Sequence, residues 1–400
     1  MKRLFLASIL AITFTSCSSD DSDIKDENEV IVPANYTFER DNVSTVDYNG
    51  QTTRLEMTSE LLSSFNDFDN TAESLSNMFA NENSPFSSAA LNDSDKSIKS
   101  KVAASNLYFS TNTVESTEIK NDFEAFISEQ MGEVKLNREQ LAEPGVAGQI
   151  ADGSSVRYVN GKGLELNQAF AKSLIGGLLL DQILNNYLSE PVLDEGDNRI
   201  NNEDGIVEDG KVYTTMEHKW DEAYGYLYGD PSIPTANPNS VLGESDDRLL
   251  FNYLGSVDAD SDFEGIAEST FEAFKTGRAA IVAGDYELRN QQVAIIRQNL
   301  STVIAVRAIH YLQGGKAALL EENIGSALHE LSEGFGFIYS LRFTNNPNTG
   351  MPYLSKATID DYKEQLLSGN GFWDVTPATL DRISEEIANA FGITVVQAAE

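Results

Sequence analysis

Two of the three histidines in this chain open the same phrase. His218-Lys-Trp-Asp221-Glu222-Ala-Tyr224-Gly225-Tyr226 returns later as His329-Glu-Leu-Ser332-Glu333-Gly-Phe335-Gly336-Phe337, and both read His-x-x-x-Glu-small-aromatic-Gly-aromatic. On a helix, side chains four residues apart lie side by side on one face. An imidazole beside a carboxylate is half of a metal site, and helical bundles assemble such sites from short His/Glu pairs on facing helices. In the first copy Asp221 adds an acid at i+3, which makes His218, Asp221 and Glu222 candidate metal ligands. In the second copy Ser332 stands at i+3, and His329 and Glu333 remain as candidates. The same spacing serves a structural pair equally well. In that case each histidine bonds its own glutamate or a neighbouring helix, since buried polar groups need partners. Tyr224, Tyr226, Phe335 and Phe337 would then be core, and Gly225 and Gly336 would let helices approach closely.

Other constellations are weaker. His310 has no acid at i+3 or i+4 and lies in an apolar stretch, which favours a core histidine over a third ligand. Asp258-Ala-Asp260-Ser-Asp262-Phe-Glu264-Gly265 opens like a calcium loop, but its twelfth position counted from Asp260 is Phe271 where a bidentate glutamate is needed. A helix cap with a solvated acidic loop fits it better. Asp197 to Gly205 has oxygen-rich composition without cation-loop spacing. No Gly-x-Ser-x-Gly, phosphate loop, His-Glu-x-x-His or dinucleotide fingerprint is present, which lowers the case for an enzyme. Arg278 is the available buried counter-charge for the acids of the first copy.

The composition sets the frame for these residues. With 400 residues and 41% hydrophobic content, the chain can bury a large core. A formal charge of -35 excludes nucleic acid as a partner, because such a surface repels phosphates. Met1-Lys2-Arg3, the apolar run Leu4 to Phe14 and Thr15-Ser16 form an export signal too short to span a bilayer. The only cysteine, Cys17, follows at once. This arrangement resembles a bacterial lipoprotein signal and implies lipidation of Cys17, which leaves no thiol for disulfides, catalysis or zinc. Residues 17–34 read as an acidic flexible tether. Ser18-Ser19-Asp20-Asp21 resembles the export signals of lipoproteins on the outer face of Bacteroidetes outer membranes. The expected location is therefore the outer membrane, lipid-anchored and facing the exterior, with the periplasmic face as the alternative.

The elements that must carry the two phrases are mainly helices. Tyr36 to Leu55 alternates β-formers around Asn49-Gly50 and predicts a small hairpin with its turn there. From Met57 the spacing becomes helical through Leu61, Leu62, Phe65, Leu75 and Phe79. Asn81 to Lys101 predicts a surface loop, and Asp194 to Gly210 an acidic one. Helices are expected over 121–131, 165–188, 266–283, 291–320, 324–341 and 377–391, and Gly176-Gly177 inside the second of these predicts close packing or a kink. The fold class is mainly α, helical bundles with a small N-terminal β-hairpin, over 35–400. The repeated phrase suggests duplicated halves at about 35–210 and 211–400.

Four stretches together resemble a family of Bacteroidetes lipoproteins that carries a domain of unknown function. They are Tyr36-Thr-Phe-Glu-Arg40, Gly50-Gln51-x-x-Arg54-Leu55, Glu217-His218-x-Trp220-Asp221-Glu222-Ala-Tyr224-Gly225-Tyr226 and Gly277-Arg278-Ala-Ala-Ile281. That family is similar in turn to the imelysin-like proteins, extracytoplasmic helical proteins built from two related bundles, linked to iron acquisition and marked by Gly-x-His-x-x-Glu. Of that motif, His218 and the acid Asp221 have counterparts here, while Met216 replaces the glycine. The resemblance implies an imelysin-like bundle that acts as a binding component in the uptake of iron or another divalent or trivalent metal ion, with an outer-membrane receptor or transporter as partner. The alternative is a cell-surface module that binds a protein, peptide or glycan without metal. A metallopeptidase is a lesser alternative.

Overall fold

A computed structural model describes residues 29–399. The signal segment and Cys17 lie outside the described residues. The chain is mainly helical and its core is one continuous apolar cluster running from Tyr36 to Ala398.

The N-terminal hairpin is present, with its turn elsewhere than expected. Strands β1 (Glu39–Arg40) and β2 (Val43–Ser44) pair antiparallel, joined by Asp41 and Asn42, both in the left-handed region at φ 52° and 62°. Asp and Asn tolerate that conformation, and two such residues make the turn that matches strand twist. Asn49-Gly50 instead opens helix α1 (Asn49–Ser64). Leu55, Met57, Thr58 and Leu61 are buried along α1, so packing of this face overrides the local turn signal.

Helices α2 (Ala72–Ala80) and α3 (Thr113–Glu129) follow. A second hairpin, β3 (Gly148–Asp152) and β4 (Ser155–Val159), was not anticipated. Its signal was there to read: Asp152-Gly153 before alternating Val156 and Tyr158, with Gly153 at φ 58°.

Helix α4 (Leu166–Leu174) runs without a break into a π-helical stretch, Ile175–Tyr187. One side chain accounts for where the change begins. The Ser340 hydroxyl accepts from the Gly176 N–H at 2.9 Å and donates to the Lys172 carbonyl at 2.6 Å, two groups that would otherwise bond each other. A hydroxyl inserted into the ladder in this way widens the helix. Gly176 makes the insertion possible, since a Cβ there would stand 2.5 Å from the Ser340 Cα.

The rest of the bundle comprises α5 (Thr215–Tyr228), α6 (Leu250–Asp258), α7 (Ile266–Ala283), α8 (Tyr286–Leu320), α9 (Ile324–Ser340), α10 (Lys356–Leu367) and α11 (Pro377–Phe391). The central α8, about 52 Å long at 1.5 Å per residue, packs against α7, α9 and α11. Helix α11 shows why the pattern was legible: Thr376 caps it, Pro377 opens it, Leu380, Ile383, Ile387 and Phe391 are buried, and Gly392 closes it at φ 69°. Asp258 Oδ1 accepts from the N–H groups of Gly265 and Ala267 at the start of α7, as the cap reading expects. Between Asp194 and Gly210 the expected loop holds a short helix, Asn198–Glu203.

Candidate functional site around helix α5

Helix α5 carries the first phrase, and its start is fixed by a capping box. The Glu217 N–H donates to Thr214 Oγ1, and the Thr214 N–H donates to the Glu217 carboxylate at 2.7 Å. That carboxylate also takes paired hydrogen bonds from Arg40, both at 3.1 Å, and one from Arg278 Nη1 at 3.1 Å. Burial pushes Glu217 up, but Arg278, Arg40 and the Thr214 N–H together hold it below the usual carboxylate value.

Asp221 lies one turn on and points into the same buried network. Its Oδ1 accepts from Tyr36 Oη at 2.7 Å and from Arg278 Nε at 3.0 Å. Both Asp221 and Arg278 have side chains 0% exposed. Burial pushes the Asp221 carboxyl up to about 6 against the pull of Arg278 and Tyr36, which favour its charged form. Arg278 is the counter-charge anticipated from the sequence, and Thr45 Oγ1 accepts a further bond from its Nη2. The Tyr36 ring stacks on Tyr224 at 3.6 Å between centroids. Trp220 packs on Gly277, where a Cβ would stand 2.1 Å from Cζ2. The four stretches that resembled a family thus meet at one place, around α5.

His218 and Glu222 face the other way. They line a cleft of about 460 Å³ between α5, the N-terminal end of α1 and the end of the π-helical stretch. The His218 ring stacks on Tyr213 at 4.6 Å, and its Nδ1 is buried without a hydrogen-bond partner. Glu222 accepts from Lys219 at 2.9 Å and from Gln51 at 3.1 Å. Burial raises it, but Lys219, His218 and Gln51 outweigh that and hold it below its ordinary value. The other charged residues of the cleft are Asp47, Arg54, Lys96, Lys101 and Lys211, with Tyr187 on its wall. Lys101 and Lys219 flank the Tyr187 ring at 5.2 and 5.6 Å from its centroid.

The second phrase lies on α9 in different surroundings. His329 Nδ1 is 3.0 Å from Glu165 Oε1, and Nε2 is 3.5 Å from Glu333 Oε1. Burial disfavours the charged ring, but the hydrogen bond and charge of Glu165 and the charge of Glu333 raise its pKa above 6.5. A raised pKa and a carboxylate at each nitrogen both work against metal binding, since a ligating histidine must be neutral. Glu333 also meets Lys172 at 3.7 Å and accepts from Tyr253 at 3.4 Å. Gly336 gives the close helix contact expected of it, against Lys172 and Ser173 of α4. Tyr224, Tyr226, Phe335 and Phe337 are all core. His310, half-buried on α8, sets its ring edge-on to Tyr311.

The five candidate ligands lie in three settings: His218 and Glu222 in the cleft, Asp221 in the buried ion network, and His329 with Glu333 on α9. Among the described residues no group of three or more His, Cys, Asp or Glu is arranged to hold a metal ion. Of the cations of the cleft, Arg54 was singled out from the sequence and the lysines were not. Lys96-Ser-Ile-Lys99-Ser-Lys101 was the available signal, a basic run in a chain where acids outnumber bases 63 to 28.

Residues 33–394 match a family model described as a domain of unknown function (DUF4856). The chain belongs to that family. Neither curated proteins nor solved structures give a match. No helix among the described residues is long and apolar enough to cross a membrane.

Proposed function

We propose that this chain is a binding protein of the outer membrane, anchored through a lipid on Cys17 and related to the imelysin-like helical proteins, and that it takes a small ligand into the cleft beside His218. The cleft carries this reading. It has the volume of a small-molecule site, typically about 300–1,000 Å³, and places an unpartnered imidazole nitrogen with charged and aromatic side chains around one space. Asp221 and Glu217 do not serve the ligand; they brace α5 from behind, so that His218 and Glu222 are presented from a rigid helix. The division of the five anticipated metal ligands favours a ligand other than a bare ion held by that set.

Native mass spectrometry of the protein taken gently from its own membrane tests this. The expected spectrum carries a stoichiometric small-molecule increment that disappears in Lys96→Trp, which fills the cleft from its rim. An increment that survives Lys96→Trp would overturn the proposal. So would a single metal ion that leaves with His218→Ala, which would restore metal acquisition as the better reading.

A further inference from the structure

We infer that the cleft beside His218 is an anion site whose ligand carries a doubly charged oxyanion, a phosphoryl or sulfo group, on a small polar body. This deepens the proposed function and rests on the cleft being the binding site. The first observation is an inversion of charge. The whole chain has 28 basic and 63 acidic residues, yet the cleft is lined by four bases, Arg54, Lys96, Lys101 and Lys211, against two acids, Asp47 and Glu222. A protein this acidic gathers cations in one place only against the trend of its composition.

The second observation is that the two acids are already engaged. Asp47 accepts from Lys211 and Tyr213, both at 3.2 Å, and Glu222 from Lys219 and Gln51. Arg54, nearly buried, bonds only neutral oxygens, the carbonyls of Ser97 and Gly50 at 3.2 Å. Lys101 Nζ donates to Tyr187 Oη at 3.0 Å. Among the described residues no carboxylate stands within ion-pair distance of either cation. Burial, then the charge of Arg54, lowers the Lys101 pKa; the Glu222 carboxylate pulls the other way, and Lys219 and Lys96 add to the lowering. Buried and half-buried cations outside any direct ion pair are costly, and an oxyanion between Arg54 and Lys101 would relieve that cost with charge-assisted bonds. A guanidinium and an ammonium together ask for a double negative charge. Tyr187 and the stacked pair of Tyr213 and His218 line the rest of the cleft, where a ligand body beyond the anionic group would lie.

Calorimetry in phosphate-free buffer at fixed chloride decides it, with inorganic phosphate, sulfate, glucose 6-phosphate and glucose as probes. The expected result is one saturable site per chain for at least one of the three anions, none for glucose, and a tenfold or greater loss of affinity in Lys101→Gln. Lys356→Gln on α10, outside the cleft, should bind as the parent does. Arg54→Gln is a second test, and Lys101→Gln carries the test if the more buried variant fails to fold. No saturable binding of any anion to natively folded protein would overturn the inference, as would equal affinity in Lys101→Gln. A neutral small molecule that occupies the cleft in native mass spectrometry and leaves with Lys96→Trp would overturn the anion assignment while the binding function stands.

Discussion

Replacing Asp221 by alanine should cost the fold about 3–5 kcal/mol, the range for removing one partner of a buried ion pair. The structure supports that size from two directions. Two hydrogen bonds to a charged acceptor are lost, from Tyr36 at 2.7 Å and Arg278 at 3.0 Å, each worth about 1.5–3 kcal/mol. Arg278 keeps Glu217 and Thr45, which holds the total below the simple sum. Asp221→Asn retains an acceptor for Tyr36 and removes only the charge, so its cost should be smaller. Urea unfolding followed by circular dichroism measures both, and an unchanged slope against denaturant would show that the unfolded state is the same. Ligand binding of the folded fraction should persist, because Asp221 faces away from the cleft. A variant as stable as the parent that has lost its ligand would refute this reasoning and return Asp221 to the list of ligand-binding groups.

Ser340→Ala removes the hydroxyl inserted between Gly176 and Lys172, and should cost about 1–3 kcal/mol if those backbone groups stay apart; thermal unfolding measures it, and no loss would mean the helix closes to regular α geometry. Gly277→Ala drives a methyl group into Trp220 and should lower stability by about 1–3 kcal/mol or more, with a shift in the tryptophan emission as the local readout. The raised pKa of His329 has a definite sign: its contribution to stability is full below the unfolded value near 6.5 and is lost as pH rises through the higher folded value. The stability gap between the parent and His329→Gln should therefore shrink from pH 6 towards pH 9; a gap that widens would contradict the pairing with Glu165 and Glu333.

Much of the helical frame was legible because burial is periodic there. Ile266–Ala283 and Pro377–Phe391 have the bounds their sequences suggest, set by a cap at one end and glycine at the other. The errors lie where two local signals compete. Asn49-Gly50 is a strong turn pair, yet Asp41-Asn42 makes the turn and the buried face of α1 claims Gly50 for a helix. The start of the π-helical stretch was not legible, because the hydroxyl that opens the ladder there is 164 residues away in sequence. At the site, the i, i+4 spacing correctly placed His218 beside Glu222 in one cleft, and His329 near Glu333. It could not show that Asp221, on the adjoining face of the helix, meets Arg278 in the buried network instead of opening into the cleft. Nor could it show that lysines from the loop before α3 would complete the cleft, since that contact comes from tertiary packing alone.

With only three histidines in the chain, imidazole nitrogen resonances of histidine-labelled protein report on each site separately. Titration with inorganic phosphate or glucose 6-phosphate, followed by zinc in a fresh sample, tests the central claim most directly. The prediction is a saturable shift of His218 with anion, absent in Lys101→Gln, while His329 holds its position. A silent His218 with anion, combined with His218 or His329 losing its proton to a stoichiometric metal, would contradict it.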